Sequence, residues 1–350
     1  MTSLPLRRLL RLPLAVGSAL VLLCVSGCGS LALFEPSYST VPPPPRLSPD
    51  APPEVQKPSY FPDKPLTLLV GFSRGGEGDV AARAMTPRLE RALNQPVVVV
   101  NRSSAQDAWA QLKVAKPDGY TMAMIQSPQL QIATLDSLGK ALFSLEDFVP
   151  IVGQLQDPQV LFVRSLSPFK SVAELVAAAK AQPDGISAGV MGGGVDNLAL
   201  AEFQRRVGVK LRVTRYPDPI SARMSTINGQ VELHFGSLSS LASTVRAGQG
   251  RLLAILDERR SPDFPDVPTM RESGADVVVL STTGYAFPKG TSAELQDYLA
   301  WSLYVAISDP SHQSKMKEAG HTVHFMAPAA FRKLISNEAA RAKELQTGLR

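Results

Sequence analysis

The sequence has little cysteine and little histidine, and both shortages exclude whole classes of protein. Two cysteines in 350 residues, Cys24 and Cys28, cannot build a disulfide framework. The four histidines are His234, His312, His321 and His324. Only the last two share a helical i, i+3 spacing, and no further residues complete a zinc ligand set. The chain has no Walker loop, and Gly76 and Gly78 are followed by Ala81 where a G-x-G-x-x-G dinucleotide fingerprint has its third glycine. Nothing here points to an enzyme or requires a cofactor. Long basic runs and nucleic-acid motifs are also missing, so the formal charge of +5 does not argue for nucleic acid.

The start of the chain is rich in proline and apolar residues, with almost no acid. Arg7, Arg8 and Arg11 form a basic region, and the apolar run Leu14 to Val25 is too short for a comfortable membrane span. Small residues follow in Val25-Ser26-Gly27-Cys28, which resembles a bacterial lipobox. Residues 1–27 are therefore expected to be a signal peptide, with Cys28 lipidated and Cys24 removed. An ordinary signal peptide or an uncleaved anchor are the alternatives. Those three arginines belong to the 36 basic residues, so the rest of the chain holds 33 against 31 acidic ones. The high pI thus belongs largely to the address. Gly29 rather than Asp follows Cys28, which by the usual sorting rule leans toward the outer membrane. Residues 28–59 carry Pro42 to Pro45, then Pro49, Pro52, Pro53 and Pro58. Proline fixes φ and removes a donor, so this stretch reads as an extended tether.

From Leu66 the pattern changes. Leu66 to Val70 is a short apolar run, the Gly-rich turn Gly71 to Gly78 follows, and Asp79 to Leu93 has helical spacing up to Pro96 and a second run, Val97 to Val100. Strand, turn, helix, strand is a βαβ unit. The alternation goes on: strands near Thr121–Ile125, Gly185–Val190, Leu211–Arg215, Val231–Phe235 and Leu252–Leu256; helices near Ala105–Ala115, Val172–Ala181 with Ser171 as N-cap, Leu198–Val207, Ile220–Ile227 and Leu238–Ala247. Long amphipathic helices at Ala293–Ile307 and Pro328–Leu349 close the chain. This is α/β architecture, and the length exceeds one comfortable core.

Six segments in order resemble the solute-binding receptors of tripartite tricarboxylate transporters, the Bug family. They are Tyr60 to Arg83, Leu93 to Arg102, Val114-Ala115-Lys116-Pro117-Asp118-Gly119-Tyr120-Thr121, Gly192-Gly193-Gly194, Asn228-Gly229-Gln230-Val231-Glu232, and Arg260 to Thr269. The resemblance runs from about Tyr60 to the C-terminus. It implies a two-lobed periplasmic-binding-protein fold of type II-like form, each lobe a mixed sheet flanked by helices, with the ligand cleft between them. Residues 60–155 plus 283–350 would form lobe 1 and residues 156–282 lobe 2, with hinges near Gly153–Gln159 and Ser281–Gly284. It further implies a periplasmic, membrane-anchored, monomeric receptor that passes a small organic acid or amino acid to a membrane permease. A sensory or envelope-scaffold role on the same fold is the alternative.

A strand's carboxyl end running into a helix start is where open α/β sheets bind ligands, and unpaired amides and the macrodipole there favour an anion. Phe72, Ser73, Arg74, Gly75, Gly76 and Asp79 in the first turn, and Gly192, Gly193, Gly194 and Val195 in the second lobe, are the residues expected to grip it. Asp79 matches a family acid, with N-cap of the following helix as its plainer role. Ser104 and Ser127 lie in further loops expected to line the cleft. Tyr216, Ser237 and Thr283 stand where family members supply contacts. The chain departs from the family at Arg74 and Glu77, at the glycine-free Ser103 to Asp107, at Val195 and at Gly236. Arg74 could pair with a carboxylate. Glu77 and Asp107, if turned inward, would oppose an anion and favour an amine-bearing ligand; otherwise all three face solvent.

Overall fold

The computed structural model describes residues 51–135, 142–191 and 194–348, all within one compact unit. The expected signal segment, Cys28 and the expected tether as far as residue 50 lie outside the described residues, as do Gly192 and Gly193. The elements run β1 (Leu66–Val70), α1 (Glu77–Leu93), β2 (Val97–Asn101), α2 (Ala105–Lys113), β3 (Thr121–Ser127), α3 (Gln129–Thr134), β4 (Phe148–Arg164), α4 (Val172–Ala181), β5 (Ser187–Met191), α5 (Val195–Val207), β6 (Arg212–Tyr216), α6 (Pro219–Ile227), β7 (Leu233–Ser237), α7 (Leu238–Arg246), β8 (Gly250–Ile255), β9 (Leu280–Pro288), α8 (Ala293–Ile307), α9 (Pro310–Glu318), β10 (Thr322–Met326) and α10 (Pro328–Gly348).

Two sheets share the long strand β4. In the first, β2, β1 and β3 are parallel, and β9, β4 and β10 continue the sheet antiparallel. In the second, β4 pairs antiparallel with β7 and β8, and β7, β5 and β6 are parallel. Strand β4 pairs with β9 from Phe148↔Pro288 to Pro158↔Leu280, and with β7 from Gln159↔Ser237 onward. The pairing changes between Pro158 and Gln159. Proline has no N–H for a ladder, so its position at the change of partner fits its chemistry.

Side chains alternate faces along a strand, and both faces of each sheet are covered. Leu66, Leu68 and Val70 of β1 pack toward α1 and α8, while Leu69 faces the cluster of Trp109, Leu112 and Phe331. Leu161 and Val163 of β4 join the core of α4 and α5, while Val160 and Phe162 face α7 and β8. Strands buried on both faces read as continuous apolar runs, which is why these segments stand out in the sequence.

Local chemistry sets the helix ends. Ser104 caps α2 by accepting from Asp107 N, and Ser171 caps α4 by accepting from Glu174 N. Asn94 ends α1 in the left-handed region at φ 51°. Trp109 is fully buried, donates Nε1–H to Met124 O at 2.9 Å, and meets the Phe143 ring edge-on at 5.7 Å, fixing α2 against β3.

Helix α10 packs on β4 and α3 and reaches α5. There Arg341 Nε lies 3.1 Å from Glu202 Oε1, while Arg205 Nη2 holds Oε2 at 2.7 Å. Both arginines hold the buried Glu202 carboxyl below its ordinary range against the opposing effect of burial. Because Arg205 remains when Arg341 is lost, Arg341→Ala is expected to cost only about 1 kcal/mol, read from the urea midpoint. A loss several times larger would mean that Arg341 alone ties the two elements together.

Candidate functional site

A cavity of about 400 Å³ lies where the two sheets meet. That size is typical of small-molecule sites. Its walls come from the β1–α1 turn (Phe72, Glu77), from α2 (Ala105) and the end of β3 (Gln126), from β4 (Leu155, Gln156, Asp157, Gln159), and from β9 (Ser281, Thr283). The second sheet adds Met191, Val195 and Asp196 at the β5–α5 junction, Pro219, and His234, Phe235, Gly236 and Ser237 on β7. The starts of α1 and α5 therefore face one crevice.

Of the residues expected from sequence, Phe72, Val195, Ser237 and Thr283 line this cavity. Ser73, Arg74 and Gly75 are exposed and do not line it. Gly76 and Gly194 sit beside it as the N-caps of α1 and α5. Ser104 is occupied as the cap of α2, and Ser127 is buried and accepts from Gln131 Nε2 at 2.9 Å. Tyr216 packs its ring against Gly189 of β5 instead of entering the cavity. Asp107 is exposed, accepts from the Ser103 hydroxyl, and stays outside as well.

Asp79 corrects the expectation of an N-cap. Gly76 holds that position, and Asp79 lies in the first turn of α1, 2% exposed. Its carboxylate accepts from Gly75 N at 2.8 Å, Asn101 Nδ2 at 2.8 Å and Arg83 Nε at 2.8 Å. Burial pushes its carboxyl upward, but these bonds outweigh it and leave Asp79 below the ordinary value. Asp79 thus holds the turn from behind rather than facing the cavity. Asn101 completes the tie by donating to Phe72 O at 2.9 Å. Of the turn's glycines only Gly75 takes a left-handed φ, at 81°.

Among the described residues the ionisable groups on the walls are Glu77, Asp157, Asp196, His234 and His321, with no lysine or arginine. Burial and the neighbouring Asp157 carboxylate push Glu77 up to about 7. Its Oε1 lies 3.6 Å from His321 Nδ1. Asp157 is raised by burial, against hydrogen bonds from the Ser239 amide and hydroxyl. Burial pushes Asp196 up to about 6, although it accepts from Met191 N. Burial pushes His234 down to about 4, so its ring is neutral near pH 7. Its Nδ1 is 3.0 Å from Gly189 O, and a carbonyl can only accept. The proton therefore sits on Nδ1, leaving Nε2 as an acceptor.

Sequence reasoning did not single out Asp157, Asp196, His234, His321 or the glutamines as contacts, although Gln129 and Asp196 lie in loops expected at the cleft, and it weighed Glu77 only as a possibility. The available signal was polar residues inside apolar strand runs, such as Asp157 and Gln159 before Val160 to Val163, and His234 before Phe235. Among the described residues no group of three or more His, Cys, Asp or Glu is placed to hold a metal ion, and no helix is long and apolar enough to cross a membrane.

Two helix-flanked sheets meeting at a cavity that both of them line define a two-lobed α/β solute-binding receptor. Residues 81–349 match the family described as Tripartite tricarboxylate transporter family receptor, and the chain belongs to that family. It is 30% identical to the protein BugT of Bordetella pertussis over 286 residues, covering 80% of this chain and 88% of that one. Among solved structures it is similar to a TctC solute-binding protein from Polaromonas, at TM-score 0.73, 27% identity, and coverage of 82% of this chain and 99% of that chain. It is also similar to an adipate-bound protein of R. palustris, at TM-score 0.70, 25% identity, and coverage of 82% and 97%. The resemblance seen in the sequence and the fold it implied are both met.

Proposed function

We propose that the protein captures a small organic, carboxylate-bearing solute by closing its two lobes around the cavity, and delivers it to a tripartite tricarboxylate-type permease. The observation that carries this is the shared wall. Phe72 and Glu77 stand at the start of α1, and Val195 and Asp196 at the start of α5, on one crevice floored by β4 and β9. A ligand that touches both sides favours the closed arrangement by its differential affinity. Residues 60–155 with 283–350, and residues 156–282, are the two bodies that move, turning about the stretch of β4 where the pairing changes. Phe72, Val195, Ser237 and Thr283 are the proposed contacts.

In this reading residues 1–27 are removed, Cys28 is lipidated, and residues 28–59 hold the body as a monomer off the membrane on the periplasmic side. Adipate in the R. palustris relative makes dicarboxylates the first compounds to try. Thermal-shift screening against organic acids, amino acids and amines tests the reading. A solute at about 100 times its Kd adds about 2.7 kcal/mol to stability and raises the melting point. No shift with any compound in the panel would contradict capture.

A further inference from the structure

The polarity of the cavity is the opposite of what a doubly anionic solute asks for. Three carboxylates reach its wall from separate elements: Glu77 from α1, Asp157 from β4 and Asp196 from α5. Among the described residues no lysine or arginine lines it. Two basic residues nearby are committed elsewhere, while Arg74 is exposed outside the cavity. Arg83 is bound to Asp79 and Asn101, and Arg223, whose charge acts on His234, is held on Ser240 O at 2.8 Å. His321, beside Glu77 and Asp157, is shifted down by burial against the pull of Asp157.

Two further side chains point to a ligand independently of the acids. Gln159 is 3% exposed, lines the cavity, and its side-chain amide makes no hydrogen bond to any described residue. His234 is 2% exposed, and its Nε2 acceptor likewise finds no partner among the described residues. Gly236 explains why that nitrogen reaches the wall. A Cβ at position 236 would stand 2.7 Å from His234 Nε2, so glycine here leaves the imidazole edge uncovered. Both groups face the cavity without a protein partner, so a ligand there can complete them.

We infer that this cavity selects a solute carrying a protonated amine, with the ammonium between Glu77 and Asp157 and a further N–H or O–H of the solute on His234 Nε2. The inference rests on the receptor reading above and narrows its ligand to one with a cationic end. A carboxylate at the other end is compatible with it, but a second carboxylate beside Glu77 is not. An ammonium supplies several donors to a wall that offers acceptors, and it relieves the repulsion between two neighbouring acids.

Three compounds of equal chain length separate the possibilities: adipate, ε-aminocaproate and hexamethylenediamine. Titration calorimetry on the full-length protein is the readout. ε-Aminocaproate or hexamethylenediamine is expected to bind at least ~10-fold more tightly than adipate, the factor one charge reversal readily gives in a partly desolvated site. Glu77 titrates near 7, so the affinity for the amine should rise from about pH 6 to about pH 8 as that carboxylate ionises, with Asp157, Asp196, His234 and His321 the other titrating groups on the wall. Glu77→Gln should remove the preference for the amine and flatten its pH dependence.

Adipate binding more tightly than both amines, with affinity falling as pH rises, would overturn the inference and leave the receptor reading intact. So would a broader panel whose only binders lack a protonated nitrogen. If nothing in that panel binds, the receptor reading fails and the inference goes with it.

Discussion

Replacing Asp79 with alanine is expected to destabilise the folded body by about 3 kcal/mol, because three charge-assisted or amide bonds converge on one buried carboxylate. The loss is large because the partners cannot all turn to water. Gly75 N–H and the Asn101 amide keep their positions, and Asn101 also holds Phe72 O. The substitution therefore loosens the turn that brings Phe72 and Glu77 to the cavity. The pH dependence carries a definite sign. The folded-state carboxyl lies below its ordinary value of 3.8, so its contribution is complete above that value and drains away as acid takes the pH through the folded value. Urea unfolding of wild type and Asp79→Ala should thus show a gap that is constant near neutrality and narrows below about pH 4. A gap that widened in acid would contradict the assignment.

The second large effect is expected at Gly71. A Cβ there would lie 2.3 Å from Ala105 Cα and 2.7 Å from Ala105 N, against backbone that no rotamer can move. Strand β1 ends at Val70, and the first turn of α2 sits directly against the next residue. Gly71→Ala must push α2 away from the sheet and pull on Trp109, whose ring and Nε1–H tie that helix to β3. A cost of about 3 kcal/mol is expected, at the upper end of overpacking effects. Weaker binding of any cavity ligand should follow, since Phe72 and Ala105 both line the wall. Near-wild-type melting for Gly71→Ala would show that α2 can retreat freely, against the packing described.

Elements with one dominant local signal were legible in the sequence. β1 (Leu66–Val70), α4 (Val172–Ala181) and α8 (Ala293–Ile307) fall on the predicted residues. β4, β9 and β10 and the short helices α3 and α9 were not foreseen. β4 runs through Pro150, Gly153, Gln154, Gln156, Asp157, Pro158 and Gln159, a composition that reads as loop. Tertiary contacts override it: Gln154 is fully buried, accepts from Tyr285 OH at 2.5 Å, and its amide meets His312 Nε2 at 3.1 Å. Those partners are 131 and 158 residues away, so no local window could have supplied them.

The candidate site was half legible for the same reason. Phe72 and Val195 follow from the strand–turn–helix pattern, because the carboxyl end of a strand faces the crevice. Arg74 and Asp79 lie in the same turn but point outward or backward, a matter of turn geometry that spacing does not encode. Asp157, His234 and His321 of the wall stand on β4, on β7 and beside β10, and only strand pairing brings them to α1.

Small-angle scattering of the protein, free and saturated with the tightest binder from the screen, tests the central claim most directly. One solute gripped from both sides should draw the α1 and α5 halves together and reduce the radius of gyration. Identical curves for a protein that calorimetry shows to be saturated would mean that the shared crevice binds without closing, and the account of capture would be wrong.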